Sequence, residues 1–220
     1  MVELIAYFKR RPGMSVAAFS EHWRTRHAEL VAKLPGLRRY VQCHTLPSVY
    51  ATREPVYDAV ARVCFDGDDP LPALSQGPEY AAVRADEASF IDPASLGSIL
   101  VEERVIVDAP APADGVVNVA FLTRLASVSV EGFQAHWHDR HGPIAGSIPG
   151  IRRYVQCHAR GSIDGANAPA WDGVALAWFD GTQAMRATAG SDAYKRTRAD
   201  EANFLASGPP FVIAREHVIV

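Results

Sequence analysis

A chain that carries the same segment twice must fold as something built twice, so the repeat is read first. RRYVQCH occurs at residues 38–44 and again at 152–158, 114 positions later. At that shift Phe19, His22, Trp23, Arg26 and His27 fall on Phe133, His136, Trp137, Arg140 and His141. Pro35-Gly36 falls on Pro149-Gly150, Asp58 on Asp172, and Asp86-Glu87 on Asp200-Glu201. No gap is needed from Val2 to about Phe90. Beyond it the second copy is one residue shorter, and VEERVIV at 101–107 aligns with AREHVIV at 214–220.

Between the copies runs DAPAPADG, residues 108–115, a Pro/Ala stretch with no apolar period that reads as a semi-rigid spacer. The expected organisation is therefore unit 1 at 1–107, a linker at 108–115 and unit 2 at 116–220, each of ordinary domain size. Hydrophobic residues at 48% and charged residues at 21% suit a packed core. A net charge of −3 gives no reason to expect nucleic acid or a membrane surface as partner. The chain enters a strand pattern at once, and Cys43, Cys64 and Cys157 are too few and odd in number for a disulfide framework. Reduced thiols, packed as small apolar groups under helices, and a cytoplasmic location are the expectation.

Each copy has the same order of patterns. Residues 3–8 form a short apolar run stopped by Arg11-Pro12-Gly13. Ser15, like Ser129 in copy two, is placed as a helix N-cap, and Val16, Phe19, Trp23, His27 and Leu30 then recur at helical spacing. Strand patterns follow at 37–46 and 56–65, then a helix with Tyr80, Val83, Glu87 and Phe90 on one side, then a strand at 99–107. Strand, helix, strand, strand, helix, strand is the ferredoxin-like βαββαβ order of an α+β fold. Its helices cover one face of the sheet, and a second copy can cover the other, which makes the chain an internal pseudo-dimer.

Alternation along RRYVQCH puts Val41 and Cys43 on one face and Tyr40, Gln42 and His44 on the other. The expected arrangement turns the apolar pair to the helices and the polar strip to the space between sheets. There the strip either bonds within itself or lines a ligand cavity. Six histidines form three matched pairs: His22/His136, His27/His141 and His44/His158. Histidine is the side chain best suited to proton transfer near neutral pH. His27 shares a helix face with Phe19 and Trp23, while His22 lies about 140° round the helix from it and is expected to serve elsewhere. Asp86-Glu87 and Asp200-Glu201 are expected to pair with the double arginines at 38–39 and 152–153. Asp58 and Asp172 orient a histidine, fix a substrate hydroxyl or bond turn amides. In His136-Trp137-His138-Asp139-Arg140-His141 only His138 and His141 share a helical face, and copy one has Arg24 at the place of His138. No metal site is expected, and no phosphate loop offers a seat to a nucleotide. The copies differ where Tyr7 becomes Phe121, Lys9 becomes Thr123, Arg62 becomes Leu176 and Cys64 becomes Trp178, so two pockets would not be equivalent.

The joint pattern resembles the EthD family. Its pieces are Phe-x-x-His-Trp with a second histidine five residues after the first, then Pro-Gly-(Leu/Ile)-Arg-Arg-Tyr-Val-Gln-x-His. The third is Asp-Gly-Val-Ala-x-x-Trp-Phe-Asp, clearest at residues 172–180. The resemblance covers nearly the whole chain and implies ferredoxin-like units pairing into a dimeric α/β barrel with the pocket inside it. Here the pairing is within the chain, between chains as a homodimer, or both. Relatives of such barrels include lactone isomerases, polyketide cyclases, decarboxylases, cofactor-free oxygenases and haem enzymes, so the family narrows the fold more than the reaction. The expected function is a cofactor-independent acid/base enzyme acting on a small apolar aromatic, lactone or polyketide-like carbonyl compound. The alternatives are a non-catalytic binder of a hydrophobic metabolite and a cofactor-free oxygenase. Expected catalytic residues are His27, His44, His141 and His158. The expected substrate-binding set is Tyr40, Gln42, Tyr154, Gln156, Tyr7, Trp23, Trp137, Asp58 and Asp172.

Overall fold

The structure is a computed structural model and describes residues 1–67, 71–161 and 168–220. Copy one runs β1 (Val2–Phe8), α1 (Val16–His22), a π-helical turn (Trp23–His27), α2 (Ala28–Val31), β2 (Leu37–Thr45), α3 (Pro47–Tyr50), β3 (Ala59–Phe65), α4 (Leu71–Leu74), α5 (Pro78–Phe90) and β4 (Gly97–Val107). Copy two runs β5 (Val116–Leu122), α6 (Val130–Ala135), a π-helical turn (His136–His141), α7 (Gly142–Gly146), β6 (Arg153–Gly161), β7 (Gly173–Phe179), α8 (Thr182–Ala187), α9 (Asp192–Glu201) and β8 (Phe211–Val218). Both serine caps are present: Ala18 N–H donates to Ser15 Oγ at 3.2 Å and Gly132 N–H to Ser129 Oγ at 3.0 Å. Among the described residues no helix is long and apolar enough to cross a membrane.

Hydrogen bonding runs β1-β3-β2-β8-β5-β7-β6-β4 and returns to β1, the closed antiparallel order of an eight-stranded barrel. The chain packs as two compact units. Unit 1 holds Met1–Val101, Arg160–Ala170 and Arg215–Val220, and unit 2 holds Glu102–Ala159 and Trp171–Ala214. Each unit is thus completed by the last residues of the other copy's final strand. In unit 1, Tyr40 N–H donates to the Val220 carbonyl at 3.0 Å, and Ile219 N–H to the Tyr40 carbonyl at 2.9 Å.

Unit 1's core lies between its sheet and its helices. The Phe8 ring meets Trp23 edge-on at 5.3 Å and Phe90 at 6.2 Å. Offset and edge-on contacts of this kind add to the area such rings bury. In unit 2, Phe133, Trp137 and Phe204 fill the corresponding space.

The register corrects the expected phase of RRYVQCH. Tyr40, Gln42 and His44 stand opposite Val63, Ala61 and Ala59 on β3 and face the helices. Val41 and Cys43 turn away from the helices, where the Cys43 thiol lies 3.8 Å from a Glu216 carboxylate oxygen. Both faces of β2 are covered, so hydropathy alternation marks the period without marking which side is which. The double arginines are also placed differently from expectation. Arg38 pairs with Asp66 at 2.7 Å and Arg39 with Glu3 at 3.0 Å. Arg152 pairs with Asp180 at 3.4 Å and Arg153 with Asp108 at 2.8 Å. Asp86 and Asp200 are occupied from the helix side instead.

Candidate functional site

The π turn creates the first part of the site. An i→i+5 turn stacks residues five apart, where an α-helix would splay them. It therefore brings His22 and His27 to one carboxylate, contrary to the α-helical expectation. His22 Nε2 lies 3.0 Å from Asp86 Oδ1, and His27 Nδ1 lies 3.0 Å from Asp86 Oδ2. Arg26 Nε adds a third contact at 3.1 Å, and the Asp86 side chain is 2% exposed. Copy two repeats the arrangement, with His136 and His141 each 3.0 Å from Asp200. An ionised carboxylate only accepts, so Nδ1 of His27 carries the hydrogen and Nε2 is the ring's basic nitrogen. Burial lowers the His27 pKa below its ordinary value, against the raising effect of the Asp86 bond. His141 is lowered by burial too, with Asp200 opposing.

The second part is the polar strip. Gln42 Nε2 donates to the Trp23 carbonyl at 2.7 Å and to the Tyr40 hydroxyl oxygen at 2.8 Å. A carbonyl can only accept, so this bond fixes which way the amide points. Gln42 Oε1 then faces His44 Nε2 at 2.9 Å, and that nitrogen must be the donor. Nδ1 is left to accept from Ser20 Oγ at 2.7 Å. In copy two Gln156 donates to the Trp137 carbonyl at 2.7 Å and to Tyr154 at 3.2 Å, and its Oε1 faces His158 Nε2 at 3.1 Å. Gln134 stands at the place of Ser20 and donates to the Ala159 carbonyl, and buried His158 Nδ1 has no hydrogen-bond partner among the described residues.

Burial, then His217 and Arg24, holds His44 down to about 3. Burial, then Arg104 and His138, holds His158 down to about 3. Both rings are neutral at pH 7. Burial also pushes the Tyr40 hydroxyl well above its ordinary value and Tyr154 up to about 12, so both keep their protons.

A cavity of about 800 Å³ opens in unit 1 between α2, α5 and the sheet. Its wall includes His27, Tyr40, Tyr7 and Glu87 among apolar side chains such as Val31 and Leu34. This is the helix-covered face, not the side to which sequence alternation assigned the strip. Burial raises the Glu87 carboxyl, with Arg84 opposing. The Tyr7 ring packs tilted against Tyr57 at 4.6 Å and lies against Gly97, where any Cβ would overlap it.

The remaining expected residues divide as follows. Trp23 and Trp137 are 0% exposed and pack tilted against His44 and His158 at 4.3 and 4.4 Å. Trp23 and Gln42 line neither this cavity nor the smaller one beside His44. Asp58 accepts from Arg10 N–H at 2.7 Å, from the Arg10 guanidinium at 2.6 Å and from the Tyr50 hydroxyl. Asp172 accepts from Arg124 N–H at 2.9 Å and its guanidinium at 3.0 Å. These aspartates bond the backbone of the turn after the first strand of each copy. Asp86, Asp200 and Ser20 belong to the constellation and were not read as such. The signal for the aspartates was two histidines five apart in both copies, with an aspartate matched in both. Among the described residues no group of three or more His, Cys, Asp or Glu is arranged to hold a metal ion.

The family profile of the EthD domain matches residues 11–94 and 125–208. No curated protein matches the chain in sequence. Among solved structures, an anthrone oxidase-like protein is similar over 99% of this chain and 92% of its own, at 12% identity and a TM-score of 0.66. A Lactobacillus acidophilus protein described provisionally as a monooxygenase is similar over 99% and 94%, at 13% identity and a TM-score of 0.59. A protein described provisionally as a chlorite dismutase is similar over 98% and 94%, at 12% identity and a TM-score of 0.58. At these identities the likeness is one of fold.

Proposed function

The chain belongs to the EthD domain family, carried twice in tandem, and from that premise we propose a cofactor-independent acid/base enzyme for a small, mostly apolar carbonyl compound bound in the unit 1 cavity. The observation that carries the reading is a single wall, bounding about 800 Å³, that holds both His27 and Tyr40. His27 takes the proton next to the carbonyl on Nε2, and Asp86 stabilises the imidazolium that forms. The Tyr40 oxygen already accepts from Gln42. Its own hydrogen is therefore available to the carbonyl oxygen and stabilises the enolate-like charge. Burial favours neutral His27 and protonated Tyr40, the forms these steps require. His44 holds the Gln42 amide, and so Tyr40, in place. His141, Asp200, Tyr154, Gln156 and His158 would take the same parts in copy two. Lyase, decarboxylase, cyclase and isomerase reactions can share such a first step.

Deuterium wash-in tests it before the substrate is known. A panel of aryl ketones and lactones is incubated with the protein in D₂O, and exchange next to the carbonyl is followed by NMR. Exchange slowed about 100-fold in His27→Ala, and less in Tyr40→Phe, supports the reading. Exchange at the wild-type rate in His27→Ala would sink it. Ligands that raise the melting temperature yet never exchange would move the reading to a carrier. A second reading, a cofactor-free oxygenase, draws on the neighbours described as a monooxygenase and as anthrone oxidase-like. It requires an electron-rich phenolic substrate and predicts oxygen consumption at an electrode.

A further inference from the structure

Unit 1 has a smaller cavity of about 550 Å³ beside α1, α3 and the end of β8. Three donor side chains meet on its wall from two elements. Arg24 stands on the π turn, and Arg215 and His217 stand two residues apart on β8, so they share a face. Both arginines are exposed. Among the described residues none of the three side chains makes a hydrogen bond or an ion pair, although His217 packs edge-on against His44 at 4.8 Å. Among the described residues two acids share the lining, and with Asp58 committed to Arg10 and Tyr50, Glu21 is left as the uncommitted acid against two arginines. The surplus is felt locally: after burial, Arg24 and Arg215 hold His217 below its ordinary pKa. Val16, Phe19, Leu46 and Pro47 give the wall an apolar stretch beside Ser20, His44, Thr45 and Tyr50.

Unit 2 supplies an internal control. The places of Arg24, Arg215 and His217 are taken there by His138, Glu102 and Arg104. Glu102 pairs with Arg104 at 3.2 Å, and His138 bonds its neighbour Asp139 at 2.7 Å. The charge surplus at the matching place is cancelled within unit 2.

We propose that the smaller unit 1 cavity binds a small organic carboxylate, its anionic head between Arg24, Arg215 and His217 and its apolar body against Phe19, Leu46 and Pro47. Arginine favours this task because its planar fork matches a carboxylate. The site is separate from the proposed reaction chamber and does not depend on turnover there.

The test is calorimetric titration of the full chain at pH 7 and low salt with benzoate, its neutral isostere benzamide, and inorganic phosphate. Expected are saturable benzoate binding, with Kd on the order of 1 mM or tighter, and benzamide at least tenfold weaker. Arg215→Glu, which places at this position the residue type unit 2 has at Glu102, should weaken benzoate at least tenfold. Arg24→Ala should do likewise, while His27→Ala leaves it unchanged. Benzoate binding that survives both arginine variants, or benzamide binding as well as benzoate, overturns the proposal. So does phosphate matching benzoate, since the apolar wall would then contribute nothing. A loss of benzoate binding in His27→Ala would reassign it to the larger cavity.

Discussion

In unit 1 the ring of His44 touches Ser20 and His217. In unit 2 the ring of His158, packed in the same way against a tryptophan, finds Gln134 and Arg104 at those places. The amide that holds the ring is the same in both, a glutamine donating to a tryptophan carbonyl at 2.7 Å. That frame is made by the register of one strand against one π turn, so altering it would strand buried polar groups. The charges around it stand at the solvent edge and can change at little cost. The comparison separates a fixed frame from variable contents, and it can be attacked at either level.

The largest expected effect is on acid stability. Both rings are held down to about 3, by burial first and then by different cations: His217 and Arg24 for His44, Arg104 and His138 for His158. A folded-state pKa below the unfolded value of about 6.5 means that the folded protein binds fewer protons. This contribution is intact above about pH 6.5 and is lost as pH falls towards 3. At about 1.4 kcal/mol per pH unit for each ring, descent to pH 4.5 costs about 5 kcal/mol for the two together. Urea midpoints across pH should fall accordingly. His44→Gln and His158→Gln should each flatten the curve by about half. A curve flattened by only one of them would mean that burial does not dominate equally in the two units.

Next come the carboxylates that gather the helix histidines. Asp86 is 2% exposed in its side chain and carries His22, His27 and Arg26, whereas Asp200 is 14% exposed and carries His136, His141 and Asn203. Asp86→Ala should cost about 3 kcal/mol and Asp200→Ala about half that, because the Asp200 carboxylate itself is already partly open to water. Equal losses on thermal or urea unfolding would show that the difference in exposure has no energetic weight.

These residues also mark where the sequence stopped being legible. Element order, both serine caps and the tandem βαββαβ plan follow from hydropathy period, cap chemistry and the repeat, all of them local signals. The π turn has no composition of its own: Phe19, Trp23 and His27 satisfy an α-helical period while the backbone winds more loosely. That one turn moved His22 onto the same carboxylate as His27 and took Asp86 away from the arginines. The phase of β2 was hidden for another reason, since a strand covered on both faces alternates without indicating which face meets the helices. Arg24, Arg215 and His217 are joined only by long-range pairing, because the last strand of copy two completes the unit begun by copy one.

The smallest expected effect tests how far the frame tolerates its one internal difference. Copy one has Ala59 opposite His44, whereas copy two has Gly173 opposite His158. A Cβ at Gly173 would lie 2.9 Å from Trp137 Cη2 and 3.1 Å from the Cys157 carbonyl oxygen. The glycine thus lets Trp137 sit closer to the strand. There its Nε1–H reaches the Tyr154 hydroxyl at 3.3 Å, while Trp23 Nε1 has no hydrogen-bond partner among the described residues. Gly173→Ala should therefore push Trp137 off that hydroxyl and cost about 1–2 kcal/mol from overpacking and a lost bond. The indole N–H resonance of Trp137 should move towards that of Trp23. An unchanged resonance with unchanged stability would mean that the glycine is not what separates the two tryptophans. The contrast would then lie in the strand backbones themselves, and the frame would be less alike in the two units than its hydrogen bonds indicate.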